Sequence, residues 1–200
     1  MKIAILIEGK TEKAFMPALR EFIKGRGAPT TTQVRSYPSD GRIPKRGALK
    51  QMVERLLCTR ADAVVALTDV YTGSRDFEDA ADAKRKMRSW VGHDDQFFPH
   101  AAQYEFEAWL LPYWPDVQRL AKHNRGIPGR TPELVNHNKP PSVWLTEIFE
   151  AGKSGRSYSK VRDAGRILRD NDLTVAANVC PELKAFLNTI LQLCGGECLE

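Results

Sequence analysis

The chain has 200 residues, 42% hydrophobic and 28% charged, with 30 Lys and Arg against 25 Asp and Glu. That mix excludes wholesale disorder and supplies a core without staples, in one compact domain or one domain with a helical extension. No apolar run nears the roughly 18 residues of a membrane span, and the run over residues 3–7 is too short for a signal peptide, so no membrane partner is expected.

Residues 2–7 (KIAILI) form a continuous apolar run, the mark of a strand buried on both faces of a parallel sheet. Gly9 breaks it and Thr11 offers a helix N-cap. Apolar residues at Ala14, Phe15, Ala18, Leu19, Phe22 and Ile23 predict a helix over 11–23, kinked near its first turns by Pro17. A short strand is expected at 32–36, then a polar loop at Ser39-Asp40-Gly41. Residues 48–58 predict a second helix. Residues 63–67 (AVVAL) predict the second buried strand, ending at Thr68-Asp69. A loop at Gly73-Ser74-Arg75 precedes a charged helix over 77–90. A third strand over 97–103 leads to Tyr104-Glu105, and a helix from 107 stops at Pro112. Beyond 113 strands are hard to find. Helices are expected at 143–150, 159–169 and 181–194, separated by Pro-, Gly- and Asn-rich chain.

This order predicts an α/β fold with a mostly parallel central sheet flanked by helices over residues 1–112, and a basic α-helical extension over 113–200 packed on it. Charge is unevenly spread. Residues 119–169 hold 11 basic and 4 acidic side chains, whereas residues 170–200 hold 1 and 5. A clustered positive field suits a polyanion, with nucleic acid the usual one; a solubilising surface is the alternative. A second basic cluster, Arg42, Lys45, Arg46 and Lys50, is either a phosphate-contacting loop or a solvated one. The four cysteines (Cys58, Cys180, Cys194, Cys198) form no CxxC pair, and a reducing cytoplasm is the natural location. The histidines His93, His100, His123 and His137 lack metal-ligand spacing and read as surface or loop residues.

The acids are the informative feature. Each of the three best strand candidates ends in a carboxylate: Glu8, Asp69 and Glu105. In an open α/β sheet the binding crevice lies outside the carboxyl ends of the strands. Glu12, four residues after Glu8, places a first-turn helix acid toward the same point. Glu105 and Glu107 project to one side only if the backbone between them is extended. Converging carboxylates repel unless cations sit among them, and oxygen-only clusters suit Mg²⁺ or Mn²⁺. A pair of such ions can drive phosphodiester cleavage. Strand-end acids that merely cap helices are the plainer alternative.

ILIEGKTEKAF (5–15) resembles the first strand, loop and helix of Toprim domains, the fold shared by topoisomerases, primases and overcoming-lysogenization-defect (OLD) nucleases. The EGxTE form, with Glu8 and Glu12, is most similar to the OLD-like nucleases. The chain also resembles a family of small stand-alone Toprim-like proteins of unknown function, often encoded beside ATPases in bacterial defence loci. TDVYTGSRDF (68–77), YEFEAWL (104–110), TPELVNHNKPPS (131–142) and the Cys180-Pro181 region look like that family's further motifs. The resemblance implies a Toprim-like Rossmannoid core, one or two Mg²⁺ or Mn²⁺ ions, and nuclease activity. It places one metal near Glu8 and Asp69 and a second near Glu12, Glu105 and Glu107. It also implies a lysine near the reacting phosphate, for which Lys160 is the candidate, with Lys10 a second. The alternative for Lys160 is a solvated helix face.

The chain departs from the pattern at Tyr71, where Toprim domains carry the second aspartate of Asp-x-Asp. Either Asp76 takes that role or the site holds fewer ligands. Gly9-Lys10-Thr11 lacks the earlier glycine of a Walker A loop, which argues against ATP hydrolysis by this chain. Three functions compete. The first is a Mg²⁺- or Mn²⁺-dependent nuclease acting with an ATPase partner in defence against phage or plasmids. The second is a catalytically weak binding or regulatory subunit of an ATPase complex. The third is a nucleotidyl transferase, which would need a triphosphate cradle that the sequence lacks. A homo-oligomer is compatible with each.

Overall fold

In a computed structural model of the chain, residues 1–39, 41–71, 76–92, 94–136 and 139–200 are described. The expectations placed on Asp40, Gly73, Ser74, Arg75, His93 and His137 lie outside the described residues. The chain forms β1 (Lys2–Ile7), α1 (Lys10–Gly25), β2 (Gln33–Pro38), α2 (Gly47–Thr59), β3 (Ala63–Asp69), α3 (Ala80–Val91) and β4 (Phe97–Ala102). A 3-10 stretch, Phe106–Tyr113, leads into α4 (Trp114–Ala121), and a short 3-10 turn, Pro132–Leu134, precedes α5 (Pro141–Ala151). Helices α6 (Arg162–Arg169), α7 (Leu173–Ala177) and α8 (Pro181–Cys194) follow.

The four strands form one sheet in the order β2-β1-β3-β4, every pair parallel. This is the α/β architecture that the apolar runs predict. Side chains alternate across the sheet. Ile3, Ile5, Ile7, Val65 and Leu67 pack with α1 and the C-terminal helices. Ala4, Leu6, Val64 and Ala66 pack with α2 and α3. Helices therefore cover both faces, which is why β1 and β3 carry no solvent-facing polar alternation. β2 lies at one edge, and its Gln33 and Arg35 are exposed. The C-terminal helices share one continuous core with β1 and α1.

The order has a physical consequence. α1 leaves β1 on one face to reach β2, and α2 returns on the other face to reach β3. The connections diverge between β1 and β3, which opens a crevice at their carboxyl ends.

Several local expectations change. Gly9, not Thr11, is the N-cap of α1 and offers no side-chain cap; the Thr11 hydroxyl is donated to Glu107 instead. α1 continues through Pro17, whose exposed position leaves the unbonded carbonyl one turn earlier to water. α3 begins at Ala80 because Asp79 accepts the backbone N–H of Asp82 at 2.7 Å. The expected helix at 107–111 is a 3-10 stretch that passes through Pro112.

His100 is not a surface residue. It sits in β4, 8% exposed, with Nε2 3.0 Å from the Thr189 hydroxyl and its ring edge-on to Phe186 of α8. Burial, helped by the charges of Lys84 and Arg88, pushes its pKa down to about 4. A histidine held neutral in the fold protonates first in the unfolded chain. Its contribution to stability is therefore complete above pH 6.5 and disappears as pH falls toward 4. Replacing it by leucine should remove about 3 kcal/mol of the stability lost between pH 6.5 and 4. Urea unfolding at both pH values checks this, and an unchanged difference between them would disprove it.

Candidate active site: an acidic cleft with two lysines

Glu8 follows the last residue of β1, and Asp69 is the last residue of β3. The register pairs Ile7 with Leu67, so Glu8 falls level with Thr68, whose hydroxyl donates to Glu8 Oε1. Both acids stand at the crevice that the strand order creates. A cleft of about 550 Å³ opens there, lined by Glu8, Lys10, Glu12, Asp69, Tyr71, Glu105 and Lys160 among others. Residues far apart in the chain thus meet at one pocket.

Each acid is positioned by a nearby backbone. Glu12 belongs to the first turn of α1, where the helix dipole favours an acid. Asp69 Oδ1 accepts the backbone N–H of Phe106 at 2.8 Å. Glu105 stands in extended backbone before the 3-10 stretch and accepts the Ser142 N–H, at the start of α5, at 2.9 Å. The residue before it, Tyr104, has φ of 68°, left-handed and unusual for an aromatic residue. Such outliers persist where the surroundings enforce them. Here the Tyr104 carbonyl accepts the Tyr71 N–H at 2.8 Å. Glu107 is fully buried and does not line the cleft. Its Oε1 is 3.2 Å from Lys160 Nζ and receives the Thr11 hydroxyl at 3.2 Å, while Oε2 is buried without a hydrogen-bond partner.

The electrostatics follow from this crowding. Burial first, then repulsion from Glu107 and Glu8, pushes Glu12 up to about 7. Burial and the charges of Glu12, Glu107, Glu8 and Glu105 hold Asp69 well above the ordinary carboxyl range. Burial also raises Glu8 against the opposing pull of Thr68, and raises Glu107 against that of Lys160. Withdrawal from water alone would lower Lys160, but Glu107, Glu105 and Asp69 outweigh it and raise its pKa.

Lys160 is not on a helix face. It lies in the segment before α6, which begins at Arg162 rather than 159. Two anchors hold that segment. At one end, a Cβ on Gly152 would stand 2.0 Å from the Ala121 carbonyl oxygen, so only glycine fits; Ser154 N–H then donates to that carbonyl at 3.2 Å. At the other end, buried Asp163 accepts Arg156 Nη1 at 2.6 Å and the Ser159 N–H at 2.8 Å. These anchors lay beyond sequence reasoning, because nothing in the local pattern marks Gly152 or Asp163 as tertiary contacts. Tyr158 was also missed: its hydroxyl is buried, and Glu107 lies close enough to help burial raise its pKa.

Asp76 stands apart. It does not line the cleft and is paired with Lys45. The predicted metal ligands are not preassembled: among the described residues, no group of three or more His, Cys, Asp or Glu side chains is arranged to hold a metal ion. Each has a protein donor of its own: Thr68 on Glu8, the Phe106 N–H on Asp69, the Ser142 N–H on Glu105, and Lys160 on Glu107. The donor chemistry nonetheless suits a hard divalent ion. It is oxygen-only, it is crowded with repelling carboxyls, and Glu107 Oε2 lacks a partner.

The motif at 131–142 and the Cys180-Pro181 region meet in a structural joint. Glu133 Oε1 accepts Trp109 Nε1 at 2.8 Å, and its two oxygens accept the Glu182 and Leu183 N–H groups at the start of α8 at 3.1 and 3.3 Å. The basic excess is partly spent on ion pairs. Arg119, Arg125, Lys139, Arg156, Lys160 and Arg162 all pair with acids. Among the described residues, no helix is long and apolar enough to cross a membrane.

The fold and site define a parallel α/β protein with an acidic cleft and two lysines at its switch point. The chain belongs to the family described as a domain of unknown function (DUF4276), whose model matches residues 7–191. Among solved structures it is similar to the C-terminal region of the Burkholderia pseudomallei OLD protein, at 13% identity and a TM-score of 0.47, covering 94% of this chain and 98% of that one. It is similar also to the C-terminal region of the Xanthomonas campestris pv. campestris OLD protein, at 15% identity and a TM-score of 0.47, covering 96% of each. No curated protein matches the chain significantly.

Proposed function

We propose that this protein is a Mg²⁺- or Mn²⁺-dependent nuclease that hydrolyses phosphodiester bonds in nucleic acid. One observation carries this: Glu8, Glu12, Asp69, Glu105 and Lys160 line a single cleft at the carboxyl ends of β1 and β3. Glu8, Asp69 and Glu105 would hold the cation, with Glu12 beside them and Glu107 behind. A divalent ion bound there would acidify water and neutralise phosphate charge. Lys160 offers an ammonium to the phosphate, where charge develops as the bond breaks. Lys10, exposed at the same rim, adds a second phosphate contact. Contacts of this kind position a strand without reading its sequence. The motif resemblance of residues 5–15 and 104–110 supports the same chemistry, and it is the sole support for an ATPase partner and a role in defence.

Cleavage of labelled DNA and RNA in Mn²⁺, comparing the parent with Glu8→Ala and Glu105→Ala, tests the proposal. Each variant should lose at least about a hundredfold, since losing even an outer partner of a metal site costs 10- to 100-fold. Equal activity in all three refutes it. The second reading, a catalytically weak regulatory subunit, is favoured by Tyr71, which stands where the motif pattern has its second aspartate. Calorimetry decides between them: no heat of Mn²⁺ binding at millimolar concentration selects the regulatory reading.

A further inference from the structure

Tyr71 occupies the position where the motif pattern expects a second aspartate, and its placement is not that of an ordinary surface tyrosine. It is 40% exposed, and it is the one exposed aromatic side chain among the described residues. Every other Phe, Tyr and Trp is buried or half-buried. It also lines the same cleft as Glu8, Asp69 and Lys160.

Three contacts fix the ring. Its backbone N–H donates to the Tyr104 carbonyl at 2.8 Å. Its ring packs on that of Tyr104 at 5.0 Å between centroids and 48° between planes. Its hydroxyl accepts a hydrogen bond from Asn136 Nδ2. The left-handed backbone of Tyr104, with φ of 68°, puts that carbonyl in place. A flat apolar surface left in water but held at its base, its edge and its tip is preorganised, so a ligand that covers it orders little that was free.

The neighbours say which ligand fits. Lys10 and Lys160 offer positive charge at the cleft, suited to a phosphate, while Tyr71 offers a π-face beside them. A phosphate and a flat ring joined by a short linker describe a nucleotide. In a duplex, both faces of each base are already stacked and cannot meet the ring. An unpaired base can, and stacking tolerates any base because each has a π-face.

We propose that Tyr71 is a stacking platform for an unpaired nucleobase, and that the strand entering the cleft is single-stranded. This rests on the nuclease reading and specifies its substrate.

Fluorescence anisotropy in calcium, with strand integrity checked on a gel, tests it. The probes are a short oligothymidylate, an abasic strand of equal length and charge, and a duplex. The parent should bind the thymidylate more tightly than the abasic strand, by roughly 5- to 100-fold for one stacked base. Tyr71→Ala should erase that preference, with little change for the abasic strand or the duplex. Tyr71→Phe, which keeps the ring and loses the Asn136 bond, should retain most of it. A merely structural role would weaken all three probes together and overturns the proposal, as does a base preference that survives Tyr71→Ala. In either case, cleavage sensitive to Glu8→Ala would leave the nuclease reading standing. Failure of the parent to bind any of the three overturns both.

Discussion

Glu12→Gln is expected to make the metal-free protein more stable by about 3 kcal/mol at pH 8 and to leave it unchanged at pH 4. Burial beside Glu107 and Glu8 raises the Glu12 carboxyl from 4.5 to about 7. Below pH 4.5 both folded and unfolded chains hold the proton, so the residue costs nothing. Between 4.5 and 7 the unfolded chain releases its proton while the folded chain retains it, and stability falls as pH rises. Above 7 the full cost remains. Glutamine copies the neutral acid at every pH and avoids it. Urea unfolding in EDTA at pH 4, 6 and 8 measures the difference, and parallel curves for parent and variant would rule out the assigned environment. Adding Mn²⁺ should stabilise the parent more than the variant, because a ligand stabilises only the form that binds it. The site then illustrates a cleft whose fold is less stable for carrying its chemistry.

The second large effect lies away from the cleft. Glu133→Ala should cost about 2–4 kcal/mol, since it strips a buried Trp109 N–H and two helix-start N–H groups of their acceptor. Glu133→Gln keeps one acceptor oxygen for Trp109 and Leu183 but turns an amide NH2 toward the Glu182 N–H, so it should cost less than alanine without being neutral. The environment favours a neutral group there, because burial raises the Glu133 pKa. Chemical denaturation of both variants measures this, and an alanine variant within about 0.5 kcal/mol of the parent would contradict it.

Much of this was legible because burial writes itself into composition. KIAILI and AVVAL have no polar face, so parallel strands covered on both sides were the natural reading, and the acid ending each run marked the crevice. Short helices were less legible. α4 and α7, of 8 and 5 residues, offer too few turns for a period to emerge beside Pro115 and Asp172. His100 was misjudged although the signal was present. Its two-residue alternation with Phe98 and Ala102 puts it on the face that α8 covers. Lys160 was named through motif resemblance, but its true setting depends on contacts with Glu107 and on Asp163, which no local pattern encodes. The charge excess of residues 119–169 is partly neutralised by pairing: Arg119 with Asp116 within α4 and Arg162 with its neighbour Asp163 are local, whereas Arg125 and Lys139 on Glu147 and Arg156 on Asp163 depend on the fold.

The contact between Gly152 and the Ala121 carbonyl bears on how this chain could be re-engineered. Even a methyl group there would pry the α4 and α5 ends apart. The arc between Gly152 and Asp163 behaves as a suspended span on fixed piers. Extra residues inserted at exposed Gly155, between Ser154 and Arg156, would lengthen the span outside both supports. A graft at that spot could retune the reach of the lysine while the rest of the molecule keeps its shape.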